Sequence, residues 1–148
     1  MKRYIADIEY EQLMLSRYTI AHHRHSGGLD RSVYLLMSRI EGQGPMSIAE
    51  LSETLRLDSS TLQRQVTAAI KEGYVQRISD PEGQLARKIA LTAEGEQVLT
   101  AARQLSYQKL DRILDEWSEQ DIEQFASYLN RFNHSIEEYS HARRQARD

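Results

Sequence analysis

Cysteine is absent from the 148 residues. Composition alone therefore excludes disulfides, thiolate zinc sites and thiol-based redox sensing. No apolar run approaches the roughly 18 residues of a membrane-spanning helix, and no signal peptide opens the chain, so a cytoplasmic location is expected. Catalytic signatures are missing as well: there is no nucleophile motif, no P-loop and no glycine-rich dinucleotide turn. Ser59-Ser60 has the look of a nucleophile pair, but no histidine or lysine base lies within its motif. No enzymatic role and no cofactor are expected. Excess positive charge is lacking too, with 19 Lys and Arg against 22 Asp and Glu for a net −3. A bulk basic nucleic-acid binder is thereby disfavoured, and any such role must rest on local distribution.

What is present centres on Ser47 to Gly73, which reads as two helices and a tight turn. Ser47 and Glu50 have the spacing of a capping box. Ile48, Leu51 and Leu55 then place one apolar face on a short helix. Arg56 and Leu57 form the turn, and Asp58 can cap the second helix with its carboxylate. That helix has an inner stripe of Leu62, Val66, Ala69 and Ile70. Its outer residues are Ser59, Ser60, Thr61, Gln63, Arg64, Thr67 and Lys71, with no carboxylate on this face before Glu72. Such a face suits a polyanion: hydroxyls reach phosphates, Gln reads adenine edges and Arg reads guanine O6 and N7. A merely solvated helix face has the same polarity.

The next stretch separates these readings. Val75 to Ile78 and Arg87 to Leu91 have strand composition, and Ile89 and Leu91 alternate with Lys88 and Ala90. Between them Asp80-Pro81-Glu82-Gly83 fits a type I turn. Helix, turn, helix and hairpin is the order of a winged helix-turn-helix. The segments L-D-S-S-T-L-Q-R-Q-V, K-E-G-Y-V, D-P-E-G and I-A-L-T-A-E-G, within residues 47 to 95, resemble the multiple antibiotic resistance regulator (MarR) family of bacterial transcription factors. The resemblance implies a dimer built through N- and C-terminal helices, binding a pseudo-palindromic duplex DNA site. It also implies a small aromatic effector held between the dimerisation and DNA-binding lobes. The family includes cysteine-switched peroxide sensors, a mechanism closed to this chain. Its wing commonly carries D-x-R-[SR] with an Arg for the minor groove. Here Gln84 and Leu85 stand at those positions, so wing contact would fall to Arg87 or Lys88.

Charge distribution agrees with a local reader. Between residues 56 and 88, Arg56, Arg64, Lys71, Arg77, Arg87 and Lys88 outnumber Asp58, Glu72, Asp80 and Glu82. Only charges within about a Debye length of the phosphates count.

In chain order, residues 4 to 24 read as a helix with Ile5, Ile8, Leu15 and Tyr18 near one face, stopped by Ser26-Gly27-Gly28. Asp30 can cap a helix containing Val33, Tyr34, Leu36, Met37 and Ile40, which ends before Gly42. Thr92 can cap a long helix from Ala93 to about Trp117, with Val98, Ala102, Leu105, Leu110, Ile113 and Leu114 as expected buried positions. Ser118 and Asp121 repeat the capping-box spacing. Ile122, Phe125, Leu129, Phe132, Ile136 and Tyr139 then follow at separations of 3, 4, 3, 4 and 3, a heptad seam. A terminal helix with such a seam is expected to pack on another subunit, with Ile5, Ile8, Phe125, Leu129, Phe132 and Ile136 at the dimer interface.

His22, His23, His25, His134 and His141 lack metal-ligand spacing, and no metal is expected. They read as helix-end residues at the dimer interface, with a pH-sensitive junction as a lesser alternative. Most of the eight tyrosines read as amphipathic packing residues. Tyr18, His22 and Tyr34 are the candidate effector pocket, placed by the resemblance. The expected fold is mainly α with a small β-hairpin, a winged helix-turn-helix flanked by dimerisation helices. It would form a single domain over 1–148, with the DNA-binding lobe at 30–92 and the dimerisation region at 1–26 and 93–148. The expected function is a homodimeric, sequence-specific regulator of transcription, a repressor modulated by a small molecule. The alternatives are a winged-helix protein-interaction module and a small metal- or ligand-binding helical protein.

Overall fold

In a computed structural model, the structure describes residues 1–23, 29–83 and 86–147, apart from the side chains of 19–23. The elements are α1 (Ile5–His23), α2 (Arg31–Gln43), α3 (Ile48–Leu55), α4 (Ser59–Lys71), β1 (Val75–Ile78), β2 (Lys88–Leu91), α5 (Ala93–Ile113) and α6 (Glu119–Gln145). The chain divides into two compact units, residues 1–107 and 108–148. The Ser26-Gly27-Gly28 breaker and His25 lie outside the described residues, as do Gln84 and Leu85.

The first unit holds the core. Leu36, Met37 and Ile40 of α2 meet Leu51 of α3, Leu62, Val66 and Ala69 of α4, and Leu99 and Ala102 of α5. Val75 and Ile89 close it from the hairpin, with Leu29 and Met46 from the connecting segments. Each large side chain so enclosed contributes about 1.5–3 kcal/mol relative to exposure. Ile48, Leu55 and Ile70, expected on inner faces, pack at the margin of this core.

The local signals largely produce the elements they imply. Ser47 Oγ accepts the Glu50 N–H at 3.1 Å. Arg56 adopts the left-handed conformation at φ 55°, turning the chain between α3 and α4. There Ser52 Oγ donates to the Leu57 carbonyl at 2.5 Å, and the Leu57 N–H donates to the Ser52 carbonyl at 3.2 Å. Gly73, at φ 83°, ends α4 in a Schellman motif. The Tyr74 N–H reaches the Ala69 carbonyl at 3.0 Å and the Gly73 N–H reaches that of Ile70 at 2.9 Å. The wing turn closes through Gly83 N–H to Asp80 O at 3.0 Å, and Asp80 Oδ1 accepts the Glu82 N–H at 2.9 Å.

β1 and β2 pair antiparallel, with Val75 opposite Leu91 and Arg77 opposite Ile89. A third segment joins them. The Met46 N–H donates to the Ile89 carbonyl at 3.1 Å, and the Ile89 N–H returns to Met46 at 2.7 Å. The chain entering α3 is thereby stitched to the hairpin.

Several boundaries differ from expectation. α2 runs through Gly42 to Gln43, and its N-cap Asp30 makes no side-chain cap bond. β2 begins at Lys88 rather than Arg87. α5 stops at Ile113, short of Trp117; Asp115 and Glu116 follow, and carboxylates at a helix C-terminus oppose its dipole. Leu105, Leu110 and Ile113 are exposed instead of buried. Only Gly95, Leu99 and Ala102 of α5 are enclosed, because the core ends there; Val98 and Leu114 are half-buried.

The second unit is a helical end. Ser118 Oγ caps α6 by accepting the Asp121 N–H at 3.1 Å. Trp117 packs edge-on against Phe125 with ring centroids 5.5 Å apart. None of the 27 residues of α6 is buried. Among the described residues no helix is long and apolar enough to cross a membrane.

Candidate nucleic-acid interface

Leu62, Val66 and Ala69 anchor α4 in the core, and that fixes which residues face outward. Ser59, Ser60, Gln63, Arg64, Thr67 and Lys71 are all exposed, and Thr61 is half-buried. Apart from the exposed Ala68, the outer face is polar or cationic, a surface able to lie against phosphates and base edges.

Its first turn departs from the expected cap. Asp58 occupies the N-cap position without a well-formed side-chain cap bond, although the Thr61 N–H is among the groups that lower its pKa. Oδ2 accepts from Ser60 Oγ at 2.6 Å. The Ser60 hydroxyl, followed by that of Thr61, holds the Asp58 carboxyl below its ordinary pKa. Arg64 Nη2 reaches back to Thr61 Oγ1 at 3.4 Å. The acid thus organises the polar side chains of the first turn.

The wing offers fewer cations than its sequence suggests. Arg77 on β1 and Arg87 before β2 are exposed. Lys88, another candidate for DNA contact, is turned to Glu50 of α3 in an ion pair that leaves its side chain 14 % exposed. Glu50 raises the pKa of Lys88, and Lys88 lowers that of Glu50, helped by the Ser47 cap. Available wing charge therefore rests on Arg77 and Arg87. The Lys88–Glu50 pair serves a different purpose, fastening the wing to the helix-turn-helix.

The residues expected to form an effector pocket are not shown as one cavity. Tyr18 lies exposed on α1, and the side chain of His22 is outside the described residues. Tyr34 is half-buried on α2 and interacts with Arg103 of α5, whose guanidinium also pairs with Glu41. A separate cavity of about 230 Å³ opens between α2 and α4, lined by Leu29, Asp30, Val33, Ala68, Ala69, Glu72 and Tyr74. Among the described residues, no group of His, Cys, Asp and Glu is arranged to hold a metal ion. His134 instead lies 3.5 Å from Glu138 along α6.

The seam positions Phe125, Leu129, Phe132 and Ile136 are 37–44 % exposed, and Ile5 and Ile8 of α1 are exposed as well. Sequence reasoning missed four features of the first unit. The Met46–Ile89 bridge, the Lys88–Glu50 pair and the Arg103–Glu41 pair join residues far apart in the chain and leave no local signal. Gly95 did leave one, as a glycine within the first turn of a helix, where alanine would serve better. Its reason is contact: a Cβ there would lie 2.0 Å from the Tyr74 carbonyl oxygen.

Comparison with known proteins agrees with this geometry. A sequence model described as "MarR family" matches residues 27–84. The Bacillus subtilis (strain 168) protein named "Uncharacterized HTH-type transcriptional regulator YxaD" is 36 % identical over 129 residues, covering 85 % of this chain and 90 % of that one. Among solved structures, the MarR protein from Peptoclostridium difficile superposes with a TM-score of 0.72 at 19 % identity, covering 93 % of this chain and 92 % of that one. A MarR family protein from Bacillus stearothermophilus gives 0.71 at 20 %, covering 92 % and 99 %. At such identities the structures speak for the fold, a winged helix, while the curated relative is named as a transcriptional regulator. The chain belongs to the MarR family of DNA-binding transcriptional regulators.

Proposed function

We propose that the protein works as a homodimeric repressor that reads a pseudo-palindromic operator in the cytoplasm. The outer face of α4 carries this reading, because it combines exposed hydroxyls, an amide and cations, and the Asp58 carboxylate at its N-terminal end is engaged by Ser60. In this arrangement α4 lies in the major groove, with Ser59, Ser60, Thr61, Gln63, Arg64, Thr67 and Lys71 as its contact residues. Arg77 and Arg87 approach the backbone or the adjacent minor groove. The exposed seam of α6, with Ile5 and Ile8 of α1, provides the contact between copies. Two-fold symmetry then spaces the half-sites by one helical turn, roughly 34 Å. Residues 30–92 form the reading lobe, and 1–26 with 93–148 form the assembly region. A small aromatic effector near Tyr18, His22 and Tyr34 alters the grip on DNA, a role supported by family membership.

Electrophoretic shifts on a selected duplex and on random duplex, across a salt series, test the reading. Arg64→Ala is expected to weaken the selected site by about 1–3 kcal/mol and to relax discrimination there. Equal weakening on both duplexes would reduce Arg64 to a phosphate contact. Unchanged binding on both would remove α4 from the interface.

A further inference from the structure

At the start of α4, hydrogen-bond donors run in one direction, toward Asp58. Ser60 Oγ donates to Asp58 Oδ2 at 2.6 Å. Arg64 donates to Thr61 Oγ1 at 3.4 Å, and the Thr61 hydroxyl is the second of the groups that lower the Asp58 pKa. A serine hydroxyl has a single hydrogen to give. At 2.6 Å the Ser60–Asp58 bond lies in the range of charge-assisted O–H···O⁻ bonds, which are about twice as strong as neutral ones. A neutral base is thus a poor competitor for that hydrogen. Ser60 is exposed, and it faces outward with lone pairs only.

We propose that Asp58 is a positioning residue that makes Ser60 an obligate acceptor, so that Ser60 selects adenine or cytosine over guanine or thymine on the strand it faces. The inference rests on α4 entering the major groove. There adenine N6 and cytosine N4 are amino donors, whereas guanine O6 and N7 and thymine O4 only accept. Placed against an accepting edge, Ser60 would oppose lone pair to lone pair. The same polarity excludes phosphate oxygen as its partner. Every base pair carries one amino group in the major groove, so the choice Ser60 makes is which strand holds it.

Arg64 stands four residues on, with Cβ atoms about 5–6 Å apart on one helix face. Arginine only donates, and guanine is its favoured edge. With base pairs about 3.4 Å apart, the amino-selected position falls within about two base pairs of that guanine.

Selection from a random duplex library tests this, using wild type, Ser60→Ala, Ser60→Thr and Asp58→Ala, each checked by thermal melting. Wild type is expected to enrich, once per half-site and near a guanine, adenine or cytosine over guanine or thymine by roughly three- to tenfold, the yield of one hydrogen bond. Ser60→Ala should lose that preference while the guanine persists, and Ser60→Thr, which keeps the hydroxyl, should retain it. Asp58→Ala frees the Ser60 hydrogen and should admit guanine and thymine at that position. An amino-over-keto ratio unchanged in Ser60→Ala or in folded Asp58→Ala overturns the proposal. If Asp58→Ala melts early, the two Ser60 variants decide alone, because that side chain supports no core. Wild type that binds duplex but enriches no sequence overturns the reading of DNA on which the inference stands.

Discussion

Leu62 and Leu129 each sit on the apolar stripe of an amphipathic helix, yet Leu62 is fully buried and Leu129 is 38 % exposed. The difference lies in what each stripe meets. α4 is covered by α2, α3 and the hairpin, and its apolar residues belong to a core closed within one chain. α6 repeats apolar residues with heptad regularity and buries none of them in its own chain. Burial of each such side chain is worth kilocalories, so a seam left in water stands apart from scattered exposed apolar residues. The reading lobe is complete in one copy of the protein, whereas the seam, on our proposal, is completed by a second.

The sharpest way to break this contrast is to spoil the seam. Leu129→Asp with Phe132→Asp places two carboxylates where each copy would desolvate them without a partner. The dimer dissociation constant is expected to rise by more than about a hundredfold, at 1.4 kcal/mol per decade, and light scattering should find monomers. Near-UV and melting signatures of residues 29–107 should survive, since none of their core includes α6. A protein that stays dimeric would place the seam elsewhere than between copies.

The opposite break leaves the α6 seam alone and opens the core of the first unit. Gly95 lets the first turn of α5 lie on the Tyr74 carbonyl, where an added Cβ would stand 2.0 Å from backbone oxygen. Around it Thr92 Oγ1 donates to the Gly73 carbonyl at 2.5 Å and accepts the Gly95 N–H at 2.9 Å. No side chain can swing away to make room. Gly95→Ala is expected to cost about 3 kcal/mol, the upper range for overpacking, in urea denaturation of the lobe. No cost, or the gain of about 0.5–1 kcal/mol expected of alanine at an unobstructed helical glycine, would mean that α5 moves freely off the Tyr74 carbonyl.

The lobe was largely legible in the sequence because its signals are short-ranged. Ser47 with Glu50 and Asp80-Pro81-Glu82-Gly83 act over a few residues, and each forms as its spacing implies; Ser118 with Asp121 does the same in the second unit. What escaped depends on residues far apart or on where a core stops. Arg103 meets Glu41 across 62 positions and Lys88 meets Glu50 across 38, distances at which no pattern betrays a pair. The apolar repeat of α5 carries on past Ala102 through Leu105 and Leu110, although both are exposed. Periodicity reveals the face of a helix but not the extent of the surface it lies on. Asp58 shows a different limit: residue type and position marked it as a cap, yet a hydroxyl two residues away took its oxygen.

The smallest expected effects concern the join between wing and lobe. Glu50 has its pKa lowered from 4.5, first by Lys88, so its contribution to stability is present above pH 4.5 and fades as pH falls through the lowered value. Lys88 has its pKa raised from 10.5 by Glu50, so its contribution holds below pH 10.5 and fades as pH climbs through the raised value. Between those limits the difference in melting temperature between wild type and Glu50→Gln should stay constant. Below pH 4.5 it should shrink toward zero. It should be small throughout and smaller in salt, because the Glu50 side chain is 49 % exposed. The same pair bears on DNA. Arg87 is exposed, and removing one phosphate contact per subunit removes two per dimer. Arg87→Ala should therefore flatten the slope of log K against log salt by about 1.8, at about 0.9 per contact. Lys88→Ala should leave the slope near that of wild type, since Glu50 already answers its charge. If Lys88→Ala flattens the slope as much as Arg87→Ala does, the ion pair opens on DNA and Lys88 returns to the contact surface. If neither changes it, the wing serves only to brace α3, and α4 carries the binding.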